Sequence, residues 1–166
     1  MPKYWVIAPY YFNSTNPQRF EKVWQFDLDQ RIISIGWGDL GDISNFSEAQ
    51  LLEHILAIYK GESPEAARNY RSSLWSFCHG ISKGDMVIAR RGRKQIAAIG
   101  MVEGDPYYDR EKNQIARNDL DTPYSYHLDM RWADFPRDKS FDEIVFGMQT
   151  VYEATENQYL TWRQAP

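Results

Sequence analysis

Residues 85–104, DMVIARRGRKQIAAIGMVEG, limit what this chain can fold into more than any other stretch. Two apolar runs of period two flank RGRK, the signature of two strands joined as a β-hairpin. The period returns in YSYHLDMRW (124–132). There Tyr124, Tyr126, Leu128, Met130 and Trp132 fall on one side, while Ser125, His127, Asp129 and Arg131 fall on the other. That alternation predicts a strand with one buried face. KYWVIAPYY (3–11) and RIISI (31–35) read as further strands from their β-branched and aromatic content, and MQTVYEA (148–154) as another.

Between these lie helical segments with readable starts. NPQRFEKVWQF (16–26) opens with Asn16 as N-cap and Pro17 at the first helical position. In FSEAQLLEHILAIYKG (46–61), Ser47 and Gln50 have capping-box spacing, Phe46 is placed to staple onto Leu51, and Gly61 is the stop. The next helix starts at Ser63–Pro64, with Ala67, Tyr70, Leu74, Phe77 and Ile81 as its core face and Trp75 on the shoulder. TENQYLTWRQ (155–164) predicts a last helix capped by Thr155 and Gln158. Five or six strands with two or three helices predict an α+β fold: a small curved β-sheet or open β-barrel flanked by helices.

With 43% hydrophobic and 25% charged residues, the chain has the composition of a globular domain and not of a disordered segment. Its 166 residues contain no internal repeat or linker, and 1–166 read as a single domain. No apolar run reaches the roughly 18 residues of a membrane span. The start of the chain also lacks the charged-then-apolar pattern of a secretory leader. Cys78 is the single cysteine, which rules out an internal disulfide framework. The expected setting is the cytoplasm, with no membrane partner.

The search for chemistry is mostly negative. The sequence has no P-loop, no G-x-S-x-G and no H-E-x-x-H. Three His and one Cys lie too far apart for a regular zinc site, so neither metal nor cofactor is expected. Cys78 and His79 are adjacent, but neighbours on a helix point about 100° apart, and Cys78 reads as a buried structural thiol. Loop aspartates such as Asp39/Asp42 and Asp119/Asp121 read as turn caps before they read as metal ligands. The chain is therefore expected to bind and not to catalyse.

Two positive signals remain. Arg90, Arg91, Arg93 and Lys94 cluster at the hairpin tip in a chain of net charge −4. A tip is not expected to bury four cations, so they would face water or a polyanion. The second signal is aromatic. At 15% of the chain, aromatics exceed what a core needs, and several stand in broken polar loops after strands. These are Tyr10 and Tyr11 before FNSTNP, Trp37 between the glycines of IGWGDLG, and Tyr107 and Tyr108 in GDPYYD. A large aromatic flanked by glycines has little room to be an ordinary core residue. Loops leaving one end of a sheet can converge, and their aromatics would then form a stacking surface for a planar ligand or a cover for the barrel end.

The order YWVIAPYYFN, IISIGWGDLGDIS and ISKGDMVIARRGRKQIAAIGMVEGD, over residues 3–109, resembles the EVE and YTH group of the PUA-like superfamily. It is most similar to the modules of modification-dependent restriction systems, including McrB-type N-terminal domains. The resemblance implies a small barrel holding a methylated base, flipped out of DNA, in an aromatic cage. It implies Trp37 as a cage wall, with Tyr10, Asn13 and Ser34 toward the base. Tyr107 or Tyr108 would form the second wall, and Trp75 is the alternative. Arg90, Arg91, Arg93 and Lys94 would meet phosphate, with Arg68 and Arg71 beside Trp75 as a further basic face. The implied partners are nucleic acid, DNA before RNA, and a nuclease or AAA+ motor as a fused domain or subunit. A small-molecule (nucleoside) sensor is the reading from another class.

Overall fold

A computed structural model describes residues 1–112 and 124–164. Strands β1 (Tyr4–Ile7), β2 (Ile32–Ile35), β3 (Met86–Arg91), β4 (Gln95–Val102), β5 (Tyr107–Tyr108), β6 (Tyr126–Ser140) and β7 (Val151–Ala154) form one mixed sheet. The order is β2-β6-β4-β3-β1-β7, with β5 pairing β6 off that path. The sheet curls into an open half-barrel. Among the described residues only β1 and β3 run parallel, from Tyr4↔Met86 to Ile7↔Ala89, and the other pairs are antiparallel. The chain therefore leaves β1 and β3 at the same end of the sheet, and that end carries the cavity described below.

Among the described residues four helices flank the sheet, more than the two or three expected, because the segment after residue 155 also folds as a helix: α1 (Pro17–Gln30), α2 (Glu48–Ile58), α3 (Pro64–Trp75) and α4 (Glu156–Gln164). The start signals work locally. Ser47 and Gln50 form the reciprocal capping box, Ser63 accepts from Ala66 N, and Thr155 accepts from Gln158 N while Gln158 accepts from Thr155 N. Asn16 occupies the cap of α1 without a side-chain cap bond. Two stops differ from expectation. α1 runs on to Gln30 and ends on Arg31 in the left-handed region (φ 56°), while α2 ends at Ile58, short of Gly61. α3 widens into a π-helical turn over Ser76–Gly80.

The central strands are buried on both faces. One side packs Trp5, Ile7, Val87 and Ala89 with Phe20, Leu51, Leu74 and Phe77 of the helices. The other side packs Val6, Ile88, Ile96 and Ile99 with Phe146 and with Tyr159 and Trp162 of α4. Each such side chain contributes about 1.5–3 kcal/mol on burial, so the sheet is clamped between two cores. β6 departs from the one-sided strand that its alternation predicts. Ser125 and His127 are as buried as Tyr126 and Leu128, because β2 and β5 border this end of the strand and the Asp27 side of α1 meets its polar face.

Candidate functional site

β1 exits through Ala8 and Pro9 into Tyr10, Tyr11 and Phe12, and Ala8 N donates to Thr150 O at 2.8 Å. β3 exits into Gly92, which sits at φ 62°. A Cβ at Gly92 would lie 3.1 Å from the Phe12 ring, so the turn needs glycine both for its backbone and for this approach. Between the two exits opens a cavity of about 320 Å³ lined by Tyr10, Tyr11, Phe12, Arg90, Arg93 and Tyr124. Tyr10 is buried, and its ring centroid is 5.7 Å from that of Tyr124. Phe12 is braced edge-on by Phe20 of α1 at 5.7 Å. Tyr11 and Met148 stand at the mouth, 76% and 78% exposed. Burial raises the Tyr124 hydroxyl well above the ordinary phenol range, with Tyr10 and Asp27 adding to it.

The hairpin cations divide in a way their spacing does not predict. Arg90 is not at the tip. It is 8% exposed, and its Nη1 donates to Gly92 O (2.7 Å) and its Nη2 to Met148 O (3.2 Å) and Gln149 O (3.3 Å). Burial pulls its pKa down; Tyr152 opposes that shift, and the charge of Arg93 adds to it by a smaller amount. Arg91 is committed to Glu21 at 2.6 Å and Asp138 at 2.8 Å. Arg93 and Lys94 are exposed, and Arg93 Nε donates to Phe146 O at 2.9 Å. The expectation of four solvent-facing cations is thus corrected to two. The strand runs to Arg91, and the 146–149 segment folds over it, offering backbone carbonyls to the guanidinium groups.

Tyr107 and Tyr108 lie elsewhere. As β5 they pair with His127 and Tyr126, and with Asp42, Ser44, Cys78 and His79 they line a second cavity of about 250 Å³. Its polar groups are largely spent. Tyr107 Oη donates to Asp129 Oδ1 (3.0 Å), Tyr126 Oη accepts from Ile43 N (2.5 Å) and donates to Gly41 O (3.0 Å), and Asp42 Oδ1 accepts from Ser44 N (3.0 Å). Burial pushes the Cys78 thiol up to about 12, and it keeps its proton. Trp75 packs on the His79 ring, centroids 4.1 Å apart.

The remaining predicted residues separate. Trp37 is in the left-handed region (φ 62°, ψ 34°), where a bulky side chain is an outlier. It packs against the core with its ring 5.4 Å from Tyr70, which corrects the reading that it stands clear of the core, and it lines neither cavity. It is joined to the first cavity through its neighbour: a Cβ at Gly36 would meet the Tyr124 ring at 3.0 Å. Asn13 is exposed and closes an Asx turn, accepting from Thr15 N and Oγ1. Ser34 is wholly buried, with its Oγ 2.6 Å from His127 Nδ1 and donating to Asp27 Oδ1 at 3.4 Å, so its hydroxyl is engaged inside the fold. Arg71 pairs with Glu48 at 3.7 Å, while Arg68 is exposed on α3.

Three features escape the sequence reading. Phe12 and Tyr124 are cavity walls, although a polar loop and a strand alternation gave each another explanation. The Asp27–Ser34–His127 cluster had a signal in α1, where Phe20, Val23, Trp24 and Asp27 share the buried face and the last is a carboxylate. Arg31, Arg131 and Arg137, far apart in sequence, line a broad polar groove with Trp132. Among the described residues no group of three His, Cys, Asp or Glu is placed to hold a metal ion, and no helix is long and apolar enough to cross a membrane.

Fold and cavity together define a small α+β half-barrel domain with an aromatic pocket at the shared exit of its parallel strand pair. The chain belongs to DUF8426, a family described as a domain of unknown function, whose profile matches residues 12–155. Tyr10 and Tyr11 precede the matched span, while Phe12, the arginines and Tyr124 fall within it. No curated protein matches the chain.

Proposed function

We propose that this chain is a nucleic-acid-binding module that holds one unstacked, methylated base in the Tyr10–Phe12–Tyr124 cavity, with DNA as the partner. The observation carrying this reading is the cavity itself: the rings of Tyr10, Phe12 and Tyr124 around about 320 Å³, with the exposed Arg93 and the buried Arg90 in its lining. That volume is at the small end of ligand pockets. It suits a single base and excludes a stacked duplex. Stacking on aromatic walls supplies about 1–3 kcal/mol per base. A methyl group adds only about 0.8 kcal/mol per buried carbon, so discrimination requires a dry, closely fitting wall. A base in a duplex must rotate out first, at a cost of a few kcal/mol that a mismatch lowers. The role is binding; cutting or translocation would come from another domain or a partner chain. Trp37 takes a supporting place, on the turn whose Gly36 carries the Tyr124 ring.

Fluorescence anisotropy with oligonucleotides carrying N6-methyladenine, 5-methylcytosine or no modification tests this. Modified strands should bind more tightly, and duplexes more tightly still when the opposing base is mispaired. Tyr124→Ala should reduce the ratio of modified to unmodified affinity by about tenfold; Trp37→Ala should reduce it less. Equal affinities for all strands, or an unchanged ratio in folded Tyr124→Ala, overturns the reading. A preference for RNA would reassign the partner, and tight binding of free nucleoside alone would make the protein a sensor.

A further inference from the structure

Arg90 is the one feature of the cavity that stacking on a base does not use. A buried guanidinium ordinarily has a carboxylate partner. Among the described residues Arg90 has none: its guanidinium hydrogen bonds end on the backbone carbonyls of Gly92, Met148 and Gln149. Those bonds use three of its five N–H groups, and its buried Nε has no acceptor among the described residues. Arg93, which lines the same cavity, adds a second cation, likewise without an ion pair among the described residues. Elsewhere the molecule pairs such groups, as it does Arg91 with Glu21 and Asp138. Two like charges beside an apolar ring pocket repel each other and raise the cost of burying the first. A bound oxyanion relieves both, because charge-assisted bonds to a guanidinium are about twice as strong as neutral ones.

We propose that the cavity is a nucleotide site and not only a base site: a phosphate of the nucleotide whose base stacks on Tyr10 and Tyr124 is held by Arg90 and Arg93. This rests on the base-binding reading for the identity of the ring, but the anion requirement comes from the arginines alone. Tyr11 and Met148 at the mouth leave an opening to solvent through which the sugar–phosphate chain runs. The arginines therefore set affinity through one particular phosphate, distinct from the diffuse attraction of exposed cations such as Lys94.

The test uses the full chain and a single-stranded oligonucleotide carrying N6-methyladenine, with the phosphates flanking the modified nucleotide either native or replaced by neutral methylphosphonates. The neutral linkages should weaken wild-type binding at least about tenfold. The same replacement several nucleotides away should not. Arg93→Gln, at the exposed rim, should bind native and neutral strands alike. Arg90→Gln should do so as well, and its fold is checked by circular dichroism because it also loses three carbonyl contacts. In wild-type protein the Arg90 Nε–H resonance should move on titration with inorganic phosphate. Equal binding of native and neutral strands by wild type, or a resonance that phosphate leaves unmoved, overturns the proposal while leaving the base reading intact. If phosphate moves the resonance but no oligonucleotide binds, the anion site stands and the base reading fails.

Discussion

The two aromatic cavities have similar ring content and opposite polar economies. In the Tyr107 cavity, the hydroxyls of Tyr107 and Tyr126 and an oxygen of Asp42 are all engaged within the fold, and Cys78 is held neutral. In the Tyr10 cavity, a buried guanidinium has no counter-ion among the described residues, and a second guanidinium lines the same cavity. Aromatic lining alone therefore does not distinguish a binding pocket from a well-packed seam. What distinguishes them is whether the desolvated polar groups already have partners, because a buried donor without one costs about 1–3 kcal/mol that a ligand can recover.

The largest expected effect concerns Cys78. If the Tyr107 cavity is a structural seam, its thiol should react with iodoacetamide at pH 8 at least about a hundredfold more slowly than a free cysteine, since only the thiolate attacks and burial holds the pKa at about 12. Mass spectrometry under native conditions reads this rate. Fast alkylation would reopen the cavity as a reactive site.

Next in size is Tyr126→Phe. It leaves Ile43 N and Gly41 O without their partner and should cost about 2 kcal/mol of folding stability by urea titration. Oligonucleotide affinity should be unchanged under conditions where the variant is folded. A loss of affinity would mean that the two cavities act as one, and the contrast between them would break.

The smallest effect sharpens what lies between the cavities. Asp27 acts on the hydroxyls of both Tyr124 and Tyr107, and through Ser34 it meets His127. Burial raises Asp27 well above its ordinary 3.8, so the folded chain keeps a proton that the unfolded chain releases. Its contribution therefore weakens stability as pH rises past about 4. Burial lowers His127 below its ordinary 6.5, so the unfolded chain takes up a proton first and stability falls on acidification below that value. Asp27→Asn should flatten the alkaline side of the stability profile and His127→Gln the acid side, as read by urea midpoints from pH 4 to 9. Unaltered profiles would show that neither group is held in its neutral form by the fold.

Much of this architecture is legible residue by residue. The hairpin, the caps of α2, α3 and α4, and the strands at both ends of the chain follow from periodicity and from side chains that bond within three residues. Those interactions are local, and nearby residues suffice to specify them. The stops were harder to read: Arg31 ends α1 in a left-handed conformation that β2 pairing with β6 helps hold, and no glycine signals it. The site was legible as an inventory but not as an arrangement. Tyr10, Tyr11 and the arginines announced themselves as unusual for their positions, while Phe12 and Tyr124 did not.

By itself the sequence determined that this chain is an α+β domain rich in aromatics at its strand ends, with basic residues gathered near a hairpin. Tertiary structure decided which of those residues meet. It brought Tyr124, two residues before β6, onto Tyr10 and Gly36. It sent Tyr107 and Tyr108 to a separate cavity, buried Ser34 between Asp27 and His127, and turned Arg90 inward while Arg93 and Lys94 stayed outside. The physical reason is that burial and pairing depend on which segments fold over one another. A guanidinium near a hairpin tip is a solvated charge or a buried, unneutralised one according to whether the 146–149 segment lies across it, and no local pattern around Arg90 encodes that contact.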